Sequence, residues 1–425
     1  MNQNPPQNPE EAVVFFRRQL EEHPDDPVVL MHFGNALAEV GYLQEAVVHL
    51  QRALLLEPSL VLPYYNLGTV LMRLGELEQA YELYEKGGRL APEEARSYYF
   101  RANVRMEQSR LEEARDLFRT AVKLDPQFAM AWNNLGSIYQ KLGEEEQALS
   151  CYRRASTIDQ TDLGFQQNLA RLLRSREKYA EAAKVYRNLV KLDPNRPETL
   201  RDLADVLLMQ KKYAEATEFY KKTLALAPDQ PEVYQRYGMM LEELGKPHEA
   251  LAAYRQASAV NSKNSEVLYQ WANLLDTLQR DQEAMTIYQR CIEADPKHAK
   301  AHHNLGALLF KLKRVEEALA AYHRALALDP NDFIAHNNLG HALFVRSGYA
   351  AAMPSFLKAV ALNPNYATAH YNLACIEALE GRQSQAITYL KNAVRLDRKY
   401  LERARGDSDL DGIRNEPAFR ALIKT

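Results

Sequence analysis

Between Trp132 and Ala155 the apolar and small residues fall at helical spacing. Trp132 is followed by Leu135, Gly136 and Tyr139, and beyond Gly143 come Ala148, Tyr152 and Ala155. Steps of three and four keep side chains on one face of a helix, so this stretch predicts two amphipathic helices joined by a tight turn at Gly143. The small residues are as informative as the large ones. Gly136 and Ala148 let two helix backbones approach, and the aromatic residues fill the space on either side.

The pattern recurs every 34 residues without an insertion. The Ala148 position is alanine at 46, 80, 114, 148, 182, 216, 250, 284, 318, 352 and 386. The Gly136 position holds only Gly or Ala, as in Gly68, Ala102, Gly238 and Gly306. Composition alone does not produce such regularity. The chain resembles the tetratricopeptide-repeat family over residues 27–400. That resemblance implies an all-α fold, a right-handed α-solenoid (superhelix) of about eleven 34-residue helix-turn-helix repeats with terminal capping helices. It specifies the fold far better than the function, because this family hosts many unrelated binding roles.

Read in order, residues 1–8 are expected to be disordered, and a helix from Glu10 to Glu22 forms a capping half repeat within residues 1–26. Eleven repeats follow over 27–400, beginning at Pro27, Val61, Ala95, Ala129, Leu163, Pro197, Pro231, Ser265, Ala299, Phe333 and Ala367. We number them 1 to 11. Prolines such as Pro58, Pro126, Pro296 and Pro364 mark the boundaries. The preceding Asp residues (Asp125, Asp193, Asp295 and Asp329) are candidate N-caps. Inner turns carry Gly41, Gly75, Gly143, Gly245 and Gly381. Pro354 falls inside a second helix, so repeat 10 is expected to be kinked or its helix shortened. Residues 401–425 form one more helical segment whose Leu410, Ile413, Phe419, Leu422 and Ile423 cover the exposed end.

Composition changes this picture little. With 26% charged and 46% hydrophobic residues the balance is that of an ordinary soluble protein. A net charge of -3 gives no electrostatic case for nucleic acid or an anionic membrane. No apolar run approaches the length of a membrane span, and the first ten residues lack an apolar signal core, so a cytoplasmic protein is the expectation. Cys151, Cys291 and Cys375 show neither disulfide nor zinc spacing, and Cys291 stands at a packing position.

The family resemblance implies that first helices line a concave groove, with the residues one, two and five after the Trp132 position facing it. One groove position is strongly biased: two after Trp132 stand Asn66, Asn134, Asn168, Asn304, Asn338 and Asn372. A carboxamide both donates and accepts, so a ladder of them suits the backbone of an extended peptide. The competing reading is that each Asn bonds a neighbouring helix. Near the C-terminal end His303, Asn337 and Tyr371 occupy the preceding groove position, with His341 further along and Phe310 and Phe344 on the far wall. The middle repeats instead carry charge at Glu198, Arg201, Asp202, Asp205, Glu232, Arg236 and Glu266, which reads first as a solvated face.

Other chemistries fit less well. Some relatives grip the C-terminal carboxylate of heat-shock chaperones with Lys, Asn and Arg. Asn35, Asn66 and Arg96 match that clamp, but Met31 and Phe100 stand where two cations belong. His302, His336 and His370 recur at the Trp132 packing position, too far apart to share a metal. Asp407 to Gly412 matches half of an EF-hand loop but has Ala418 where the bidentate Glu belongs, so a turn and helix cap are favoured. No nucleophile motif or phosphate loop appears, and no cofactor is expected. The expectation is a non-catalytic scaffold or adaptor that binds a protein or peptide in its groove. A substrate-recruiting or regulatory subunit acting in trans is the alternative, a chaperone co-factor a lesser one, and self-association through the terminal repeats a further route.

Overall fold

In the computed structural model, residues 8–424 are described. The expected disorder of the first eight residues therefore falls almost wholly outside the described ones. Every regular element among the described residues is helical. The chain divides into two compact units, Met1–Phe219 and Tyr220–Thr425, with the division inside the second helix of repeat 6. Within each unit the two helices of a repeat pack on one another, and the second helix packs on the first helix of the next repeat. Ala129–Lys141 against Glu145–Ile158 is one such pair in the first unit, and Ala299–Lys311 against Val315–Leu328 one in the second. Each unit is thus an α-solenoid stack. The helix Pro9–Glu22, capped by the Asn8 side chain, packs on the first helix of repeat 1.

The 34-residue alanine is the centre of each repeat. All eleven, from Ala46 to Ala386, have no exposed surface. Behind them runs a column of large side chains including Tyr84, Phe118, Tyr152, Tyr254 and Tyr322, each at most 2% exposed. The small residue opposite explains why the aromatics fit. A Cβ added at Gly68 would lie 2.6 Å from Tyr84 Cε1, and one at Gly136 would lie 2.8 Å from Tyr152. Burying such rings is the main stabilising term of a repeat, on the order of 2–3 kcal/mol for each fully buried side chain.

The inner turn places a positive φ at the same position in ten of the eleven repeats. Gly41, Gly75, Gly143, Gly245 and Gly381 have positive φ, and at the same repeat position so do Ser109, Glu177, Lys211, Gln279 and Lys313, with φ between 57° and 65°. The left-handed residue terminates the first helix whether or not it is glycine.

Two local expectations are corrected and a third is refined. The candidate caps Asp125, Asp193, Asp295 and Asp329 are not N-caps. Asp125 and Asp295 end the second helix, and their carboxylates accept the backbone N–H two residues on, from Gln127 at 2.9 Å and Lys297 at 3.0 Å. They hold the inter-repeat turn closed. Helix starts are capped by other residues where a side chain is used at all, as by Asp26, Asp162, Asn264 and Asp332. Pro354 does not shorten its helix, which runs Tyr349–Leu362 like its equivalents. The adjustment falls upstream, where the first helix extends to Ser347 and Gly348 takes the positive φ. The C-terminal segment is not one helix but two short ones, Lys399–Gly406 and Pro417–Lys424, separated by a 3₁₀ turn at Ser408–Ile413. Leu410, Ile413 and Phe419 are fully buried there with Ala374 and Ala378.

Candidate functional site

The asparagine series is bonded largely within the protein. Each amide of the series from Asn134 onward reaches back to the preceding repeat. Asn134 Nδ2 donates to Asn103 Oδ1 at 3.0 Å and lies 3.5 Å from the Tyr99 hydroxyl. Five repeats later the same triad recurs: Asn304 Nδ2 donates to Asn273 Oδ1 at 2.8 Å and to the Tyr269 hydroxyl at 3.3 Å. Asn168 donates to Asn133 Oδ1 at 2.8 Å, and Asn372 to Asn337 Oδ1 at 2.9 Å. Asn338 bonds His303 Nε2 at 3.1 Å. If the amide is the donor there, His303 carries its proton on Nδ1, which faces Asp332 at 2.8 Å. These side chains clasp successive first helices together, which was the competing reading.

The neighbouring candidates follow suit. Tyr371 is only 1% exposed. Its ring stacks on Tyr400, Arg403 lies over it, and its hydroxyl donates to Asp407 Oδ2 at 2.6 Å, so the C-terminal segment covers the place where a groove residue was expected. Asn337 is also buried, between Asn338 and Asn372. Phe310 stays half-buried against the His341 ring, and Phe344 packs beside the core around Phe356.

Asn66 is the exception. It has no hydrogen-bond partner among the described residues, although Asn35 stands where Asn103 does relative to Asn134. It lines a cleft of about 710 Å³ over the first helices of repeats 2, 3 and 4. The floor is aromatic: Phe100 lies 5.5 Å from Tyr65 and 5.6 Å from Tyr99, and Tyr99 lies 4.8 Å from Phe128. Leu62 and Met130 stand on its rim, each about half exposed. Arg96, Glu93 and Asp125 supply the polar edge. Tyr65 itself is buried. Its hydroxyl donates to Glu94 Oε2 at 3.1 Å, and burial, reinforced by that carboxylate, pushes its pKa up so that it remains a donor. Of the residues singled out from sequence, Asn66 lies in this cleft, as do Arg96 and Phe100 from the comparison with the chaperone clamp, while Leu62, Phe128 and Met130 went unassigned. The legible signal was apolar residues at an exposed helical position.

The recurring histidines have a packing role. His302, His336 and His370 place Nε2 at 3.2, 3.1 and 2.9 Å from the carbonyls of Pro296, Pro330 and Pro364. Trp132 Nε1 donates to Pro126 O at 3.1 Å in the same way, and Gln166 Nε2 to Gln160 O at 3.3 Å. The position therefore selects a donor that ties the helix start to the preceding turn. Burial holds the His302 imidazole below its usual pKa, so it stays neutral. The nearest approach to a metal set among the described residues is Cys375, Asp407 and Asp409, whose ligand atoms lie within 4.8 Å of one another. Asp407 is already occupied: Tyr371 donates to Oδ2, and Asp409 N to Oδ1 at 3.1 Å. Arg403 faces it as well. This is the cap of the 3₁₀ turn rather than half of a calcium loop.

Comparison with known proteins places the chain. Profiles described as tetratricopeptide repeat match residues 168–231 and 337–400, 129–162 and 299–332, 241–307, and 63–94. A TPR repeat profile matches 34–75 and 102–143. The chain belongs to the tetratricopeptide-repeat family. No curated protein sequence matches it. Among solved structures it is similar to YrrB, a TPR protein with an unusual peptide-binding site, at 24% identity over 43% of this chain and 95% of that one, with a TM-score of 0.38. It is similar to a chain of the APC/C hetero-tetramer Cut9-Hcn1 at 16% identity over 98% and 93%, TM-score 0.41. A third is the C-terminal part of a TPR repeat-containing protein from Cytophaga hutchinsonii, at 19% identity over 57% and 98%, TM-score 0.48. No helix among the described residues is long and apolar enough to cross a membrane.

Proposed function

We propose that this chain is a non-catalytic protein-interaction scaffold that takes an extended partner segment across the first helices of repeats 2 to 4. One observation carries the reading: the Asn66 amide is unpaired at the edge of an aromatic cleft, while the amides later in the series are bonded to the preceding repeat. A free carboxamide can donate to and accept from a peptide backbone. The rings of Tyr99, Phe100 and Phe128, with Leu62 and Met130, supply the apolar contact that anchors an interface.

The test is affinity capture with three proteins: the intact chain, Asn66→Ala with Met130→Glu, and Asn304→Ala with Asn338→Ala and Asn372→Ala. A partner that survives the triple change and is lost with the double change supports the cleft. The reverse pattern moves the site to the asparagine series. Circular dichroism checks that both variants keep their helices.

A further inference from the structure

The second unit holds a separate opening on the side of the second helices. It lies between Pro247–Val260 and Asp281–Ala294, measures about 910 Å³, and has Trp271 and Leu275 of the intervening first helix as its floor. Leu occupies the Trp271 position in most repeats, as at Leu67, Leu135, Leu169, Leu203, Leu305, Leu339 and Leu373. Trp271 is half-buried with Arg290 5.8 Å from its ring centre. Its indole N–H has no partner among the described residues.

An ion pair that bridges the equivalent groove in two other repeats does not form here. In repeats 4 and 5 the equivalent groove is bridged. Arg153 pairs with Glu181 and Arg187 with Glu215, each at 2.6 Å and each joining one second helix to the next, 28 residues on. Repeats 7 and 8 carry the same two residue types at the same offset, Arg255 and Glu283. Here both Glu283 oxygens are held by Arg280, through Nε and Nη2 at 2.7 Å each. Arg255 is left exposed, with no partner among the described residues. The nearby acids are engaged too: Glu249 with Lys246 at 3.2 Å, and Asp281 with Lys311 at 2.7 Å.

We propose that this groove is a second docking site, for an acidic amphipathic segment of a protein partner. The partner's carboxylate takes the place of Glu283 on Arg255, and its apolar side chain covers Trp271. Arg and Trp are both among the residue types enriched at interface hot spots. A guanidinium with no internal carboxylate selects an anionic partner. An apolar floor selects a protein segment over a nucleic acid strand, in keeping with the chain's net charge of -3.

Trp132→Phe leaves Trp271 as the sole indole reporter, since the chain has two tryptophans. The probe is a synthetic helical peptide with Leu on one face and Glu on the other, titrated against Trp271 emission. The same peptide with Lys for Glu, and a single-stranded oligonucleotide, serve as comparisons. The Glu peptide is expected to shift the emission saturably, and Arg255→Glu is expected to weaken it by about tenfold or more. Arg255 is exposed, so the variant keeps the fold. Glu283→Gln, which releases Arg280 into the groove, is expected to tighten binding. No response at millimolar Glu peptide, an equal response to the Lys peptide or the oligonucleotide, or an unchanged affinity in Arg255→Glu overturns the proposal.

Discussion

Asn134 in repeat 4 and Asn304 in repeat 9 have the same surroundings: a Tyr 35 residues earlier and an Asn 31 residues earlier, both within hydrogen-bond reach. Yet the two regions around them differ. Upstream of Asn134 the first helices of repeats 2 and 3 present aromatic rings and an unpaired Asn66, and a cleft remains. Downstream of Asn304 the clasp continues through His303, Asn338, Asn337 and Asn372, and the C-terminal segment closes over Tyr371. A groove amide is left without an internal partner only where the neighbouring repeat does not bond it. The packing positions are shared by both regions, so they set a baseline against which groove changes are measured.

The largest effects test that baseline. Gly136→Val and Gly306→Val each force a side chain against a buried tyrosine ring, Tyr152 or Tyr322, where a Cβ would already sit 2.8 to 2.9 Å away. Each is expected to cost about 1–3 kcal/mol, the usual penalty of overpacking a core. Urea denaturation measures it, and similar losses at both sites show that the regions differ in their groove and not in their core. A large disparity breaks the comparison.

The clasp comes next. Asn304→Leu and Asn134→Leu each remove a half-buried bond between repeats, to Asn273 or to Asn103, at a cost of about 1 kcal/mol; Asn273 Oδ1 still accepts from the Tyr288 hydroxyl at 2.6 Å. Asn66→Leu removes no such bond and is expected to change the urea midpoint hardly at all while weakening partner capture. If Asn66→Leu destabilises the chain as much as Asn304→Leu does, Asn66 is a clasp residue and the cleft loses its distinguishing feature.

The repeat architecture was legible because backbone approach tolerates few residue types. Only Gly or Ala fits at the Gly136 position and only Ala occurs at the Ala148 position, so a single chain displays them as a period. The groove was not legible for the converse reason. A carboxamide bonds a ligand or a neighbour equally well, and which it does depends on residues 31 and 35 positions away that a local pattern does not weigh. Asn304 with Tyr269 and Asn273 could have been read as a triad, since Tyr99, Asn103 and Asn134 repeat it at the same offsets. The histidine series illustrates the same point. Trp132, Gln166 and His302 look unrelated until the carbonyl six residues earlier is considered.

The inner turn gives a smaller and favourable effect. Lys313 and Glu177 hold the left-handed conformation that Gly143 holds in repeat 4. A side chain there costs about 1 kcal/mol relative to glycine, offset in part by the extra chain entropy that glycine loses on folding. Lys313→Gly and Glu177→Gly are each expected to raise the urea midpoint by the equivalent of a few tenths of a kcal/mol up to about 1 kcal/mol. Glu177 lies in repeat 5 and Lys313 in repeat 9, so equal gains show that the turn contributes alike in both regions.

The smallest effect concerns acid. His49 and His302 both have pKa values depressed chiefly by burial. A group whose folded pKa lies below its unfolded value near 6.5 contributes stability that is fully present above that pH and is lost as the pH falls through the folded value. His302 adds a geometric term, because its Nε2 already serves the Pro296 carbonyl and charging the ring brings a cation into a packed position without adding that bond. Gln166 makes the equivalent bond to Gln160 without a titrating group. His302→Gln is therefore expected to match the parent's stability at pH 7.5 and to decline less between pH 6.5 and 5. Urea denaturation at those pH values measures it. A parallel decline in both proteins would mean that His302 charges without cost and that the acid sensitivity of the clasped region comes from another group.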